Sequence, residues 1–246
     1  MTINTFNKTK KTSSINATKT NKNAKESKTS GEQYFSTNPN SLDLRRTLQV
    51  DLRGKEVSVQ VSNGVFSSSK LDLGTSVLLK HAPQPPENGR FFDIGCGWGA
   101  ISLALGFESP NAQIYAVDVN ERALELTNIN AKNAGLNNIH TYLVEDALKE
   151  LKENALQENT QSEDAQKNID LIWSNPPIRV GKDVLHNILL TWLPRLKVGG
   201  AAYLVVQKNL GSDSLIPWLS KNLGEDFSVE KYASSKGYRI IEVLRK

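Results

Sequence analysis

A glycine-rich stretch near the middle of the chain has the residue types of a nucleotide-binding loop. Asp93 ends an apolar run, 90–94, and Gly95, Gly97 and Gly99 alternate with other residues after it. Glycine lets a backbone approach a ligand closely, and a helix that starts here favours anionic groups. Dinucleotide-binding loops read G-x-G-x-x-G and bind a pyrophosphate. An acid before alternating glycines suits instead an ammonium group, such as that of the methionine end of the methyl-transfer cofactor.

Two more acids follow the next two apolar runs. Asp118 lies 19 residues after Gly99, where a carboxylate can accept hydrogen bonds from both ribose hydroxyls, and Asn120 beside it is likewise predicted to contact the cofactor. Nicotinamide and methyl-transfer folds both use this device, so Asp118 indicates a ribose without choosing between them. Asp146, followed by Ala147, could accept a bond from an adenine amino group, although a helix N-cap or a solvated carboxylate explains it equally well.

A second loop, Asn175-Pro176-Pro177-Ile178, follows the apolar run 169–173. Two prolines fix an extended turn, which can aim the Asn175 side-chain oxygen and the Pro176 carbonyl at one point. Both atoms accept hydrogen bonds from an exocyclic amino group and thereby direct its lone pair at a methyl donor, so positioning carries most of the rate. These four residues are the predicted catalytic loop, although the same sequence elsewhere is often a plain turn.

The elements around these loops alternate between strand and helix patterns. Such an order predicts right-handed crossovers and a doubly wound, mostly parallel sheet. The last two strands are too close for a helix between them and predict an antiparallel hairpin at the sheet edge. Predicted strands are 90–94, 112–117, 139–144, 169–173, 201–206, 227–232 and 238–244; predicted helices are 71–80, 99–105, 121–134, 184–193 and 212–223.

Composition divides the chain into three parts. Residues 1–32 hold seven lysines and two glutamates, a net charge of +5 against +4 for the whole chain, so the remainder is nearly neutral. This part is expected to be a disordered basic tail, either solubilising or attracting RNA. Residues 33–70 are expected to form an N-terminal β-hairpin extension, with strands at 47–52 and 56–61. Residues 71–246 form the main domain, in which the polar stretch 153–168 is interpreted as a surface insertion.

Cysteine and histidine usage argues against disulfides and metals. Cys96 is the single cysteine, and His81, His140 and His186 are scattered, so no group has zinc-ligand spacing. No histidine lies near Cys96 in sequence, which favours a small side chain packed beside the cofactor over a nucleophile. No signal peptide or membrane span is predicted, and a cytoplasmic location is expected.

Together the two loops and the acids resemble the class I S-adenosylmethionine-dependent methyltransferases, and more narrowly the small-domain ribosomal RNA guanine-N2 methyltransferases. The resemblance covers roughly residues 33 to 246. Outside the cofactor loop it rests on the stretches 34–36, 64–67 and 71–75, and on the loop 175–182 with Arg179 and Lys182. Ile178 departs from relatives that carry an aromatic residue after the prolines, and the chain is too short for the duplicated domain of the best-known members.

The resemblance implies a Rossmann-like methyltransferase fold and transfer of a methyl group from S-adenosyl-L-methionine to the 2-amino group of a guanine in small-subunit ribosomal RNA, that is, a role in rRNA processing. The resemblance also implies that the glycine loop would hold the methionine end of the cofactor and that Thr75 would close over it. Asn175 would bind the target amine, and Arg179 and Lys182 would contact RNA phosphates. The alternatives are methylation of adenine N6 or of a protein glutamine, a catalytically silent RNA assembly factor, and, more distantly, a nicotinamide enzyme.

Overall fold

The computed structural model describes residues 42–157 and 168–246. The predicted basic tail 1–32 and the stretch 34–36 lie outside these residues. The described chain begins with a two-stranded antiparallel hairpin, β1 (Arg45–Leu52) and β2 (Lys55–Ser62). Arg53 and Gly54 have φ values of 57° and 86° and form its turn, the backbone conformation that matches the twist of a tight hairpin.

The main sheet has seven strands in the described chain. They are β3 (Arg90–Ile94), β4 (Gln113–Asp118), β5 (Ile139–Leu143), β6 (Ile169–Ser174), β7 (Leu196–Gln207), β8 (Phe227–Ser235) and β9 (Tyr238–Arg245). The helices are α1 (Leu73–His81), α2 (Ala100–Glu108), α3 (Glu121–Asn133), α4 (Val144–Gln157), α5 (Lys182–Trp192) and α6 (Ser212–Leu223). Short 3₁₀ turns lie at Ile178–Val180, Leu193–Arg195 and Lys208–Leu210.

Strand order places the two predicted loops side by side. The order is β5-β4-β3-β6-β7-β9-β8, with β9 antiparallel to both β7 and β8. The chain runs from β3 outward through β4 and β5, and then returns to place β6 and β7 on the other side. The winding direction therefore changes between β3 and β6, and open α/β sheets bind ligands at such a switch point. The predicted Rossmann-like sheet with its antiparallel C-terminal hairpin is confirmed.

Each central strand is buried on both faces. Phe91 and Leu171 point into a core layer shared with α1, α2, α3 and the β1–β2 hairpin. Their neighbours Phe92 and Ile172 point into a second layer beneath α4, α5 and α6. Because successive strand side chains alternate between faces, Asp93 faces the same layer as Phe91 and is directed toward α2.

Helix α4 is absent from the elements predicted from the sequence. Its apolar positions Val144, Ala147, Leu148 and Leu151 have the i, i+3, i+4, i+7 spacing of an amphipathic helix. Glu145 and Asp146 lie in its first turn, where negative charge favours the helix dipole. Residues 153–157, the first part of the insertion predicted at 153–168, continue α4; residues 158–167 lie outside the described chain.

Strand β7 also differs from its prediction, since it begins at Leu196 rather than at 201. Its first residues are glycine-rich, and the register with β6 shifts between Ile169 and Leu171. A Cβ at Gly200 would lie 2.8 Å from the Ile169 carbonyl oxygen. The irregular start of the strand thus requires glycine. Because glycine has a low strand propensity, the sequence pattern does not predict a strand there.

Candidate active site

Backbone hydrogen bonds and positive φ angles fix the shape of the glycine loop. Gly95 and Cys96 both donate their N–H groups to the Val117 carbonyl, at 2.8 and 3.1 Å, and so tie the loop to the end of β4. Gly95 and Gly97 have φ values of 80° and 59°, a region that side chains disfavour. A Cβ would meet nothing within 4 Å at Gly95, and at Gly97 only the Phe66 carbonyl at 3.9 Å. The loop therefore leaves room for a ligand against its backbone.

Asp93 is fully buried beneath this loop. Its Oδ2 accepts hydrogen bonds from the Ser102 N–H at 3.0 Å and the Ser102 hydroxyl at 2.6 Å. It thereby caps α2, whose own N-cap residue, Gly99, has no side chain to do so. Within the described chain Oδ1 has no hydrogen-bond partner. Burial raises the pKa of Asp93 to about 7, against the opposing effect of the Ser102 bonds.

A buried carboxylate oxygen without a partner costs free energy unless a donor reaches it. An ammonium group above the loop is such a donor and would also restore the charged form of Asp93. The open backbone at Gly95 and the unpaired oxygen of Asp93 therefore both fit the amino-acid end of S-adenosylmethionine. They do not fit a pyrophosphate, which brings no hydrogen-bond donor to that oxygen and would repel the ionised form of Asp93.

Asp118 ends β4 next to the glycine loop. One carboxylate oxygen accepts the Gly97 N–H and the other accepts the Asn120 N–H, each at 3.0 Å. Burial raises the pKa of Asp118 above its ordinary value, and these backbone bonds oppose that shift. A carboxylate offers about four acceptor sites, so acceptor capacity remains for the predicted ribose hydroxyls.

Asn120, also predicted to bind cofactor, uses its side chain within the protein. Its Oδ1 accepts the Arg122 N–H at 3.0 Å and caps α3, while its Nδ2 donates to the Gly64 carbonyl at 2.7 Å. The residue is fully buried. Its visible function is to join α3 to the segment after β2, beside Asp118.

Cys96 is buried and lies 3.6 Å from the Thr127 hydroxyl. Burial raises the pKa of the thiol well above its ordinary value, and the carboxylates of Asp118 and Asp93 add to that effect. A neutral thiol is a poor nucleophile. The same hydroxyl donates to the Gly97 carbonyl at 3.0 Å, so Thr127 supports the loop from α3.

Asn175, at the end of β6, is oriented by residues of α1 a hundred positions earlier. Its Nδ2 donates to Asp72 Oδ2 at 2.8 Å and to the Thr75 hydroxyl at 3.0 Å. The same Asp72 oxygen accepts the Thr75 N–H at 3.0 Å and caps α1. A carboxylate can only accept, so the amide nitrogen must face Asp72. The Asn175 oxygen therefore points away and is left as an acceptor.

The rest of the target loop is packed firmly. The Ser174 hydroxyl donates to the Ile94 carbonyl at 2.6 Å and locks the ends of β6 and β3 together. Pro176 is buried, and Pro177 precedes the 3₁₀ turn that starts at Ile178. Ile178 packs against the second core layer, so its side chain is an anchor for the loop.

The segment after the hairpin folds over the glycine loop. Trp98 donates its indole N–H to the Ser67 carbonyl at 3.2 Å, and Asn130 donates to the Trp98 carbonyl at 2.9 Å. Asn130 also pairs with the backbone of Gln60 in β2. The extension predicted at 33–70 therefore shares the core and the site with the main domain in its described part.

One pocket unites residues of both loops with α1. Gly95 and Gly97 line it together with Asp72, Thr75 and Asn175. The glycine loop, where the methyl donor is predicted to bind, and Asn175, the predicted acceptor for the target amine, therefore face a common space.

The remaining predicted residues lie at the rim or in the fold. Asp146 is exposed in the first turn of α4, three positions after Leu143, which pairs with Asp118. Ala147 is buried in the second core layer. Lys182 is exposed at the start of α5, and Arg179 lies in the 3₁₀ turn, its side chain outside the described atoms. The cofactor and RNA roles of these residues stay predictions.

Four residues of this site are absent from the predicted set: Asp72, Ser102, Thr127 and Ser174. Asp72 had a sequence signal, because an Asp followed three residues later by a helical Thr75 has the spacing of an N-cap. The other three have none, since each acts through a contact with a distant segment.

Two absences hold for residues 42–157 and 168–246. No cluster of three or more histidine, cysteine, aspartate or glutamate side chains there could hold a metal ion. No helix in those ranges is long and apolar enough to span a bilayer.

Comparison with known proteins shows the family to which this chain belongs. The family model of the methyltransferase small domain matches residues 56–242, most of the chain and all of the site. The protein therefore belongs to the methyltransferase small domain family. The uncharacterized protein YbxB of Bacillus subtilis (strain 168) is 34% identical over 214 residues, which cover 87% of this chain and 98% of YbxB.

A second relative carries a named activity. Ribosomal RNA small subunit methyltransferase C of Acinetobacter baumannii (strain AYE) is 31% identical over 175 residues, 70% of this chain and 48% of that protein. The chain thus spans about half the length of that relative.

Solved structures support the fold. A 16S rRNA N2 G1207 methyltransferase (RsmC) from T. thermophilus, in complex with AdoMet and guanosine, superposes with a TM-score of 0.62. Its identity is 21%, over 82% of this chain and 51% of that one. M. jannaschii TYW2 in complex with AdoMet superposes with a TM-score of 0.51 at 16% identity, over 84% of this chain and 89% of that one.

Proposed function

We propose that this protein transfers a methyl group from S-adenosyl-L-methionine to the exocyclic 2-amino group of a guanine in small-subunit ribosomal RNA. One observation carries the proposal. The amide nitrogen of Asn175 is held by Asp72 and Thr75, so its oxygen is presented as an acceptor in the pocket that the glycine loop lines.

An acceptor at this position answers the chemical difficulty of the reaction. The lone pair of an aryl amine is delocalised into the ring, which makes the nitrogen a poor nucleophile. Asn175 Oδ1 and the Pro176 carbonyl, by accepting both N–H bonds, favour a pyramidal nitrogen with its lone pair directed at the methyl group. The sulfonium of the cofactor supplies an activated methyl group, so no strong base is needed and positioning dominates.

The cofactor half of the proposal rests on the glycine loop. Asp93 would hold the ammonium through its unpaired oxygen, while Gly95 and Gly97 would contact the methionine part. Asp118 would accept the ribose hydroxyls with the acceptor capacity that its backbone bonds leave, and Asp146 would meet the adenine at the rim. Thr75 would close over the methionine part and at the same time orient Asn175.

The choice of guanine in ribosomal RNA is supported by the relatives. The Acinetobacter relative is named for methylation of small-subunit ribosomal RNA, and the T. thermophilus neighbour is named for guanine N2 and contains guanosine. Ile178 adds an argument from resemblance. It is aliphatic and anchored in the core, and thus differs from the aromatic residue that adenine- and glutamine-methylating relatives carry after the prolines.

The test supplies substrate in both physical forms. Small-subunit ribosomal RNA transcribed without modifications, and small subunits assembled from it, are each incubated with the full chain and labelled S-adenosylmethionine. The product is digested and the methylated base is mapped. We expect N2-methylguanine at a defined position with at least one of the two forms.

The matched control is the same incubation with Asn175→Ala protein. Label in N6-methyladenine, or in a ribosomal protein fraction incubated in parallel, would overturn the guanine assignment. Cofactor binding by calorimetry without label in any RNA or protein fraction would favour a silent assembly factor. Binding of a nicotinamide cofactor in place of S-adenosylmethionine would overturn the proposal as a whole.

A further inference from the structure

We propose that the turn after β7 and the β8–β9 turn form a binding surface for RNA phosphates beside the target loop, with Lys208 and Lys236 as its anchors. We call it the two-turn surface, and its assignment rests on the proposed function. It assigns a role to the antiparallel hairpin that ends the chain.

Backbone geometry joins the two turns. The Lys208 N–H donates to the Gly237 carbonyl at 2.9 Å, and Gln207 pairs with Tyr238. Strand β7 runs parallel to β6, so its C-terminal end lies at the edge where the target loop follows β6. Because β9 is antiparallel to β7, the β8–β9 turn is brought to that same edge.

Contacts through α1 place this turn next to Asn175. A Cβ at Gly74 would lie 2.9 Å from a ring carbon of Tyr238 and 3.3 Å from Asn175 Nδ2. Tyr238 and Asn175 therefore flank the same glycine from two sides. Lys236 is two residues before Tyr238, close enough to bind the backbone of a nucleic acid whose base enters the pocket.

The charges on the two-turn surface are uncompensated. Lys208 and Lys236 are both exposed, and neither has an acidic partner within 4 Å among the described residues. The acid at the start of α6, Asp213, is already engaged, since it pairs with Arg239. Lys182 differs, because the exposed Asp183 follows it directly, and it is left out of the surface.

A comparison with the other hairpin shows what is unusual about Lys236. Arg53 and Lys236 are both long cations at left-handed positions, with φ values of 57° and 47°, followed by glycine. Asn or Gly is preferred at such positions. Arg53 has an evident use, because it pairs with Glu108 and donates to the Leu79 and Ala82 carbonyls. The residues described give Lys236 no such partner, which leaves its ammonium group available to a phosphate.

The size of the effect follows from counterion release. Each phosphate contact contributes about 0.7 to 0.9 to the slope of log affinity against log salt. Since that contribution vanishes near 1 M salt, each contact strengthens binding roughly four- to five-fold at 0.15 M and about two-fold at 0.5 M. Two contacts therefore account for about 15- to 30-fold at 0.15 M.

The experiment compares two double variants of the full chain. K208Q/K236Q removes both anchors; K132Q/K221Q removes two exposed lysines near the C-terminal ends of α3 and α6, at the opposite edge of the sheet. Binding to unmodified small-subunit ribosomal RNA is measured by filter retention from 0.1 to 0.5 M salt. We expect K208Q/K236Q to bind about 15- to 30-fold more weakly at 0.15 M and only about three-fold more weakly at 0.5 M. The control should bind within about two-fold of the wild type.

Two further measurements separate this inference from the proposed function. Calorimetry with S-adenosylmethionine should give the same affinity for all three proteins, and thermal unfolding should show that both variants fold. Equal RNA binding by the two double variants, or a defect as large at 0.5 M salt as at 0.15 M, overturns the two-turn surface even if the wild type methylates guanine. Conversely, a salt-dependent defect confined to K208Q/K236Q supports the surface even if the methylated base proves to be another.

Discussion

The glycine loop and the target loop face the same pocket but are built in different ways. The glycine loop is shaped locally, by positive φ angles at Gly95 and Gly97 and by two bonds to the end of the adjacent strand β4. The target loop obtains its chemistry from α1, because Asp72 and Thr75 orient Asn175 across about a hundred residues of sequence. The first loop can thus fail in cofactor binding, whereas the second can fail in catalysis while the cofactor still binds.

The largest effect should come from removal of the Asn175 side chain, which should lower catalysis and leave cofactor binding unchanged. Asn175→Ala deletes the oxygen that we propose accepts a hydrogen bond from the target amine, and loss of one preorganised group of this kind costs about 10²- to 10³-fold in kcat or more. The dissociation constant for S-adenosylmethionine should stay within about two-fold, since the glycine loop is untouched. Asn187→Ala, at an exposed position of α5, is the control. Full activity of Asn175→Ala would sink the proposed mechanism.

Two alanine substitutions in the glycine loop should give opposite kinds of damage. At Gly95 the added Cβ enters the open ligand space, so cofactor affinity should fall about 10²-fold or more, with a backbone strain of about 1–2 kcal/mol. At Gly99 the Cβ would lie 3.0 Å from Thr127, inside the protein, so the larger effect should be on unfolding.

Calorimetry with S-adenosylmethionine and denaturant unfolding distinguish the two. If Gly95→Ala bound cofactor normally, the ligand would not lie against the glycine loop.

Asp72 tests how the target loop depends on α1. Asp72→Ala removes both the helix cap and a partner of the Asn175 amide, so kcat should fall about 10- to 100-fold through misplacement, and stability by about 1 kcal/mol through the lost cap. Asp72→Asn keeps an oxygen that can accept both bonds and should recover most of kcat. Steady-state kinetics at saturating cofactor provide the measurement. An Asp72→Asn protein as slow as Asp72→Ala would contradict a positioning role.

The smallest effect should be a pH dependence that belongs to the glycine loop alone. Burial raises the pKa of Asp93 to about 7, so the carboxylate that an ammonium requires forms as the pH rises through that value. Cofactor affinity should therefore be roughly ten-fold weaker at pH 6 than at pH 7.5, a range below the ordinary pKa of an α-amino group, about 7.7 to 8.0. Asp93→Asn should bind weakly with a flat profile. An unchanged slope in Asp93→Asn would show that another group titrates.

The raised pKa of Asp93 should also change the stability of the protein without cofactor. A carboxyl group whose pKa is raised by folding stabilises the folded state most below its unfolded pKa, and that contribution is lost as the pH rises toward 7. The wild type without cofactor should thus lose stability between about pH 4 and 7 relative to Asp93→Asn, measurable by denaturant unfolding at several pH values.

Much of the fold could be predicted from local patterns. The runs 90–94 and 212–223 match β3 and α6 in full, because each has a clear apolar pattern and a clean boundary. Helix α4 is absent from the prediction although its apolar spacing is present, because the helix follows β5 without a connecting loop and the strand predicted at 139–144 includes its first residue, Val144. Strand β7 was shortened because Gly199 and Gly200 hide a strand that begins with a shift in register.

By itself the sequence determined which residues can do chemistry: an acid before alternating glycines, an acid after the next strand, and an asparagine before two prolines. These are properties of residue type and order, and they suffice to indicate an ammonium-bearing nucleoside cofactor and an amine acceptor. Only the tertiary structure decided which way Asn175 presents its amide, which oxygen of Asp93 is free, and that Lys208 and Lys236 share the edge of the target loop. Those features depend on contacts between segments far apart in sequence, and no local pattern records which segments will meet.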